Sequence, residues 1–193
     1  MKKIFLTLAT GVVAAAAALS TLTVANAEEE KTTYAIGPFK QADGSVAGGK
    51  EVVFEDGRWI IEESGNPTYH VSKDGKVDFL SYRGYQRYHA ECHVCHGPEG
   101  KGSTYAPALV DSVRTMSYED FVGVVASGRV RNAGGTEYVM PALGDNKNVM
   151  CYLDAMYVYL KGLSAEAVPN GRPRNKASKP KEVTEFEDAC IAG

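Results

Sequence analysis

The chain has 193 residues and carries 21 basic against 24 acidic side chains, a formal net charge of −3. This mildly acidic balance argues against a nucleic-acid partner, and the length suits one domain with appendages. The four cysteines form an even set, which leaves no obligatory free thiol.

The amino-terminal segment has the pattern of a secretory signal peptide. Lys2 and Lys3 precede an apolar run from Ile4 to Leu19, and Ala25–Ala27 supplies a small-residue cleavage pattern. We therefore predict a signal peptide over residues 1–27, removed on export to the periplasm. A membrane anchor is the alternative, but the run is alanine-rich and ends in the cleavage pattern. No later stretch reaches membrane-spanning length, so we expect no span after signal removal.

The sequence of residues 28–80 predicts an amino-terminal extension of short strands and turns. Two apolar runs flank an Asp-Gly pair within residues 51–61, and the same pattern recurs within residues 68–80. Asp-Gly between apolar runs is a strong β-hairpin signal. We expect two hairpins here and no long helix.

The sequence of residues 81–163 predicts a helical domain. Tyrosines recur every three residues in a helix that leads into Cys92. Ser117, with an acidic residue three positions later, caps a second helix that Gly128 closes. A third helix carries an apolar stripe and ends near Gly162.

The remaining segments lack a regular pattern. Residues 97–115 and 129–147 are rich in glycine, proline and asparagine, and long loops in a compact domain are usually functional. Residues 164–193 carry a basic stretch followed by an acidic one, which predicts a solvated, extended tail.

The most informative motif is Cys92-His93-Val94-Cys95-His96. A zinc site would need a second, similarly spaced Cys or His pair, and none follows. A thioredoxin-like dithiol would open a helix in a βαβ setting, whereas this motif follows a helix. Cys-x-x-Cys-His is the attachment motif of c-type haem. Cys92 and Cys95 would bond to its two vinyl groups, and His96 would be the proximal iron ligand.

Whether the iron has a sixth protein ligand decides the function. A filled position suits electron transfer, whereas an open one allows chemistry such as peroxide reduction. Met116, Met150 and Met156 lie beside or within predicted helices, where a thioether packs in a core. Met140 lies in a predicted irregular loop, and Pro141 stiffens the backbone behind it. We predict Met140 as the distal ligand, with histidine or an open site as alternatives.

Three segments resemble class I cytochromes c: GYQRYHAECHVCHG, APAL and AMYVYLKG. The resemblance implies a mainly α fold of three to five helices around one haem. The hairpin extension and the extended tail would be additions to it. It also implies that the Pro107 carbonyl accepts a hydrogen bond from His96. Gly84 would lie at the crossing of the first and last helices, and Tyr88 would belong to the haem surroundings.

From about Asn66 to Leu163 the chain is similar to the four-cysteine, methanol-metabolism-related cytochromes of methylotrophic bacteria, which resemble cytochrome c-L. The resemblance implies a monomeric electron carrier with no catalytic residues. Its donor would be a pyrroloquinoline-quinone (PQQ) methanol dehydrogenase, notably the lanthanide-dependent type. Its acceptor would be a downstream cytochrome c or a terminal oxidase. A carrier for another dehydrogenase, a fixed haem subunit or sensor, and a small haem peroxidase are alternatives.

The second cysteine pair, Cys151 and Cys190, is predicted to form a disulfide that folds the tail over the domain. Disulfides persist in an oxidising compartment, where an exposed free thiol is a liability. Two unrelated thiols are the alternative.

The sequence leaves the roles of several other side chains undecided. Arg129 and Arg131 either contact the haem propionates or form a solvated pair. We expect His89 and His93 to be surface side chains rather than ligands. A Ca²⁺ ion lies beside the haem in some relatives, so such a site is open here too.

Overall fold

The computed structural model describes residues 33–35, 39–40, 46–47, 51–61 and 63–193, with side chains from Phe54 onward. The predicted signal peptide and parts of the predicted extension, residues 28–32, 36–38, 41–45, 48–50 and 62, lie outside the described residues. The strands are β1 (Thr33–Ala35), β2 (Phe39–Lys40), β3 (Val46–Ala47), β4 (Glu51–Glu55), β5 (Arg58–Ile61), β6 (Arg129–Ala133) and β7 (Thr136–Met140). The helices are α1 (Phe79–Glu91), α2 (His93–His96), α3 (Leu109–Thr115), α4 (Tyr118–Ser127), α5 (Lys147–Met150), α6 (Leu153–Ser164) and α7 (Lys181–Ala192). None of these helices is long and apolar enough to cross a membrane.

Helix α1 begins where the sequence supplies a cap. Asp78 is extended (φ −62°, ψ 163°), and its side chain accepts a hydrogen bond from the Ser81 backbone N–H. Such a cap satisfies a donor that the helix start leaves unpaired. The second predicted hairpin, within residues 68–80, forms only in part, as a short antiparallel turn around Asp74 and Gly75. It retains one bridge, between Val71 and Val77, and its last two residues belong to α1.

Helices α1 and α6 cross at the centre of the fold. A Cβ placed on Gly84 would lie 1.9 Å from the Ala155 carbonyl oxygen and 2.6 Å from Tyr159 Cβ. Only glycine permits this approach, as the family resemblance implies. Tyr88 and Tyr159 are fully buried at the crossing. Helix α6 is buried along nearly all its length because α1 and α3 pack against it.

The two predicted loops contain regular structure. Helix α3 lies within residues 97–115, and β6 and β7 form an antiparallel hairpin within residues 129–147. Gly134 (φ 58°) and Gly135 (φ 78°) make the turn between these strands. Positive φ at both turn residues is the geometry that suits a two-residue hairpin.

The second predicted helix is confirmed and the third is interrupted. The Ser117 side chain caps α4 by accepting the Asp120 N–H, and Gly128 ends it. The predicted third helix divides into α5 and α6, with Cys151 and Tyr152 between them.

The prediction of an extended tail is wrong at its end, where residues 181–192 form α7. Cys190 of α7 is joined to Cys151 by a disulfide, with a Cα–Cα distance of 5.7 Å. The residues before α7 pack along the core rather than extending into solvent. Arg172, for example, donates to the Tyr82 hydroxyl at 2.7 Å.

The β4–β5 hairpin lies between the core and α7. Its turn residues Asp56 and Gly57 have φ of 48° and 77°, and a Cβ on Gly57 would lie 2.8 Å from Val183 of α7. Arg58 donates to the Asp154 carboxylate of α6, which also accepts from the Tyr118 hydroxyl. One carboxylate therefore links the hairpin, α4 and α6.

Candidate haem-binding site

One helical turn carries the two predicted haem-attaching cysteines and the predicted proximal ligand. Cys92 follows the last residue of α1, and α2 continues to His96. The backbone N–H groups of Cys95 and His96 donate to the Cys92 carbonyl at 3.3 and 3.0 Å. Both thiols and the imidazole therefore lie on one short, hydrogen-bonded segment.

The His96 side chain is buried and oriented. Its Nδ1 lies 3.0 Å from the Pro107 carbonyl oxygen, the partner that the resemblance implies. Because a carbonyl oxygen only accepts, Nδ1 carries the proton and Nε2 is left as the basic nitrogen. The loop between the two residues closes tightly, since a Cβ on Gly97 would lie 2.3 Å from the Gly102 carbonyl oxygen.

The two thiols differ in environment. Cys95 is exposed, whereas Cys92 is half-buried with its Sγ 3.8 Å from Met156 Sδ. Burial, reinforced by the Glu91 carboxylate, raises the pKa of the Cys92 thiol to about 12. Met156 lies in the core as predicted, but its contact with an attaching thiol was not predicted.

Tyr88 supports the turn after His96. Its ring is fully buried 5.8 Å from the Tyr159 ring, and its hydroxyl donates to the Gly97 carbonyl at 2.6 Å. Burial raises the pKa of the Tyr88 hydroxyl, so it stays protonated and able to donate. The structure thus places Tyr88 in the α1–α6 crossing, with its polar end on the haem-attachment segment.

Met140 is the last residue of β7, so its predicted setting in an irregular loop is wrong. It pairs with Arg129 across the hairpin and is half-buried against the central apolar cluster. A Cβ on Gly128 (φ 73°) would lie 2.6 Å from the Met140 carbonyl oxygen and 2.9 Å from the Pro141 carbonyl carbon. Strand pairing and this close contact set the Met140 backbone. The sequence indicated Gly128 only as the end of a helix, and its contact with Met140 was not predicted.

Arg129 and Arg131 are exposed on β6. The Arg131 guanidinium lies 5.1 Å from the ring centroid of Tyr138, its partner across the hairpin. This is a cation–π contact within the hairpin. Contact of either arginine with a haem propionate stays a prediction.

The donor set fits a covalently bound haem. Two thiols lie one turn apart beside a buried imidazole with a free Nε2, and Cys92 and Met140 border one apolar cluster. Half-buried apolar side chains at its margin supply surface for a flat macrocycle; they are Leu109, Val110, Val122, Leu143 and Met150. The described residues contain no group of three or more His, Cys, Asp or Glu that could hold a metal ion, so nothing supports the Ca²⁺ site. The site is that of a protein with attached haem.

Comparison with known proteins agrees with this chemistry. The chain is 49% identical to cytochrome c-553I of Paracoccus denitrificans over 139 residues, 72% of this chain and 61% of the relative. It is 38% identical to cytochrome c-555 of Methylococcus capsulatus over 96 residues, 49% of this chain and 72% of the relative. Among solved structures, the c-type cytochrome XoxG from Methylobacterium extorquens AM1 matches with a TM-score of 0.65 and 52% identity, over 70% of this chain and 82% of that one. No family model matches the chain.

The chain therefore belongs to the class I c-type cytochromes, which are electron-transfer proteins rather than enzymes. Membership implies covalently bound haem c as the cofactor. The chain spans about 61% of the length of cytochrome c-553I, so that relative has a substantial portion with no counterpart in the match.

Proposed function

We propose that this protein is a periplasmic electron carrier that accepts electrons singly from a PQQ-dependent methanol dehydrogenase and passes them to a downstream cytochrome c or a terminal oxidase. The observation that carries the proposal is the Cys92–His96 turn, with His96 held by Pro107, in a chain 52% identical to a c-type cytochrome named XoxG. Sequence identity at this level, rather than the shared fold alone, supports a related role.

The residues at the site suit one-electron transfer. Haem attached at Cys92 and Cys95 would supply an iron that cycles between the ferric and ferrous states. The hydrogen bond to Pro107 would hold the His96 ring in one orientation in both states. A thioether ligand from Met140 would stabilise the ferrous state and raise the reduction potential.

Exposed apolar side chains on the site's own segments support transient docking of a redox partner. Val94, inside the attachment motif, is 77% exposed, and Tyr105, two residues before Pro107, is 74% exposed. Val130 and Val139 face each other across the hairpin that ends at Met140 and are also exposed. Weak redox complexes bury little surface, so a few such side chains are sufficient.

Two features support a periplasmic location. The amino-terminal sequence has the signal-peptide pattern described above. The Cys151–Cys190 disulfide also suits an oxidising compartment, because cytosolic thiols are kept reduced.

The proposal is tested by stopped-flow reduction of the oxidised, haem-loaded protein. Mixing with a PQQ methanol dehydrogenase and methanol should reduce the haem in a single phase whose rate rises with dehydrogenase concentration. Omission of methanol, or use of dehydrogenase stripped of PQQ, is the control and should abolish reduction. If dehydrogenases of other substrates reduce the protein and the methanol enzyme does not, the proposed donor is wrong. Rapid peroxide turnover without dehydrogenase-linked reduction would exclude the carrier role itself.

A further inference from the structure

We propose that His89 and His93 form a binding site for a borderline divalent cation, with Zn²⁺, Ni²⁺ and Cu²⁺ as the ions that suit it. His89 precedes the haem-attaching turn and His93 lies within it, and the proposed haem attachment uses neither side chain. The inference goes beyond the proposed electron carrier and does not depend on its donor.

The first observation is the spacing of the two rings. His89 lies in the last turn of α1, and His93 opens α2 four residues later. Their ring centroids are 5.4 Å apart with 31° between the ring planes. A metal ion about 2 Å from one nitrogen of each ring holds the two centroids roughly 5 Å apart. The separation of the two rings is therefore close to that of a chelating pair.

The second observation is the orientation of His89. Its Nδ1 lies 2.8 Å from the Tyr85 backbone carbonyl oxygen. Because that oxygen only accepts, Nδ1 carries the proton and Nε2 presents its lone pair. Metal-binding histidines show this arrangement, in which the second nitrogen donates to a carbonyl or carboxylate and fixes the ring.

Neighbouring aromatic rings restrict His89 further. The Tyr85 and Tyr88 rings lie 4.3 and 5.3 Å from it, centroid to centroid. A ring with restricted rotation loses less conformational entropy when it binds a ligand. His93 is also half-buried, so both imidazoles remain accessible to solvent.

The class of ion follows from the ligands. Imidazole nitrogen suits Zn²⁺, Ni²⁺ and Cu²⁺, whereas Ca²⁺ and Mg²⁺ require oxygen ligands. The described residues offer no third His, Cys, Asp or Glu to this pair, so water completes the coordination. A site of this kind binds reversibly and releases its ion to a chelator.

The test uses haem-loaded protein without a histidine tag, because a tag would itself bind the ion. Calorimetric titration with Zn²⁺ should show about one ion per chain. Affinity should fall by about tenfold or more in either His89→Gln or His93→Gln. The matched control is His70→Gln, which removes a half-buried histidine elsewhere and should leave the affinity unchanged.

A second measurement needs no variant and so does not depend on variant folding. In NMR spectra of the reduced, diamagnetic protein, Zn²⁺ should shift the ring-proton signals of His89 and His93 and leave those of His70 in place. Absence of stoichiometric binding, equal binding by the His89→Gln/His93→Gln double variant, or ring signals that do not move would each overturn the proposal.

Discussion

Two regions of the molecule are held together by different forces. The haem-bearing core, α1, α2 and α6, is packed from buried aromatic and aliphatic side chains around a helix crossing that only glycine permits. The outer brace, the β4–β5 hairpin and α7, is joined to that core by charged groups, one covalent bond and one buried apolar side chain, Val183, which packs in a cluster with Leu80 and Val158. The polar and covalent links are Arg58 to Asp154, Arg83 to Glu187, and Cys151 to Cys190. Lys179, just before α7, also pairs with Glu187 within the tail.

This difference between core and brace indicates where the fold tolerates substitutions. A close-packed crossing cannot yield by a fraction of an ångström, because both surfaces are helix backbone. Ion pairs and a disulfide can be removed one at a time, and each removal weakens the brace without displacing a core side chain. Substitutions in the core should therefore abolish the site, and those in the brace should lower stability in steps while the haem spectrum stays unchanged.

The largest effect we expect is from Gly84→Ala. The new methyl group would stand 1.9 Å from the Ala155 carbonyl oxygen, so α1 and α6 must separate. We expect a loss of more than about 4 kcal/mol in the free energy of unfolding, enough to prevent recovery of folded holoprotein. Yield of haem-loaded protein and denaturant unfolding measure this.

Gly123→Ala is the matched control, since it lies in α4 and its Cβ would meet no described atom within 4 Å. Alanine has the higher helix propensity, so this variant should be neutral or up to about 1 kcal/mol more stable. A Gly84→Ala protein as stable as the Gly123→Ala protein would show that the helix crossing is not the rigid element of the fold.

Next in size is the disulfide of the brace. Replacing both Cys151 and Cys190 by serine removes a link across 39 residues and should cost about 4 kcal/mol in the chain-entropy model. Thermal unfolding of the oxidised protein measures the loss. The haem absorption spectrum should be unchanged, because the link joins α7 to the α5–α6 junction and not to the attachment turn. A changed spectrum would mean that the brace also shapes the haem site.

A third prediction tests which contacts fix the position of the Met140 backbone. Gly128→Ala should press on the Met140 and Pro141 backbone and weaken the near-infrared thioether–iron band of the oxidised protein. Gly135→Ala is the control: its φ of 78° is also positive, but its Cβ would meet no described atom within 4 Å. Gly135→Ala should lose about 1–2 kcal/mol of stability through its positive φ. Gly128→Ala should lose more, because its φ of 73° and ψ of −179° form a conformation that only glycine adopts readily and its Cβ would meet backbone atoms. Only Gly128→Ala should lose the band. The band should be absent from Met140→Ala, and its survival there would remove Met140 as the ligand.

The sequence was most predictive where the chemistry is local. Cys92, Cys95 and His96 lie within five residues, so their spacing alone defines the motif and its chemistry. The cap at Ser117 is equally local, and α4 begins where that pattern predicts. The role of Gly84 depended on the family resemblance, because nothing in one sequence says which helix approaches a glycine.

What the sequence did not reveal depends on distant partners or on exposed strands. The arms of the β6–β7 hairpin are mostly exposed and polar, so they lack the apolar alternation that marks a strand. The Gly134-Gly135 pair was the available signal for that turn. Helix α7 is stabilised by contacts such as that between Val183 and Gly57, which lie more than a hundred residues apart along the chain. A local pattern in a charged tail does not indicate such a contact.

The smallest effect we expect is a pH dependence at the contact between His70 and the brace. The His70 ring stacks on Trp59 of β5 at 4.0 Å, and burial lowers the pKa of His70 below its usual 6.5 in spite of the nearby Asp78 carboxylate. Between that lowered pKa and about 6.5, the unfolded chain binds more protons than the folded one, so stability should rise with pH in this window. Burial also raises the pKa of Asp78, and this contribution has the opposite sign, because it makes stability fall as the pH rises. Denaturant unfolding from pH 5 to 7.5, compared between the wild type and His70→Gln, isolates the histidine. The variant should show the shallower slope, and equal slopes would assign the pH dependence to other groups.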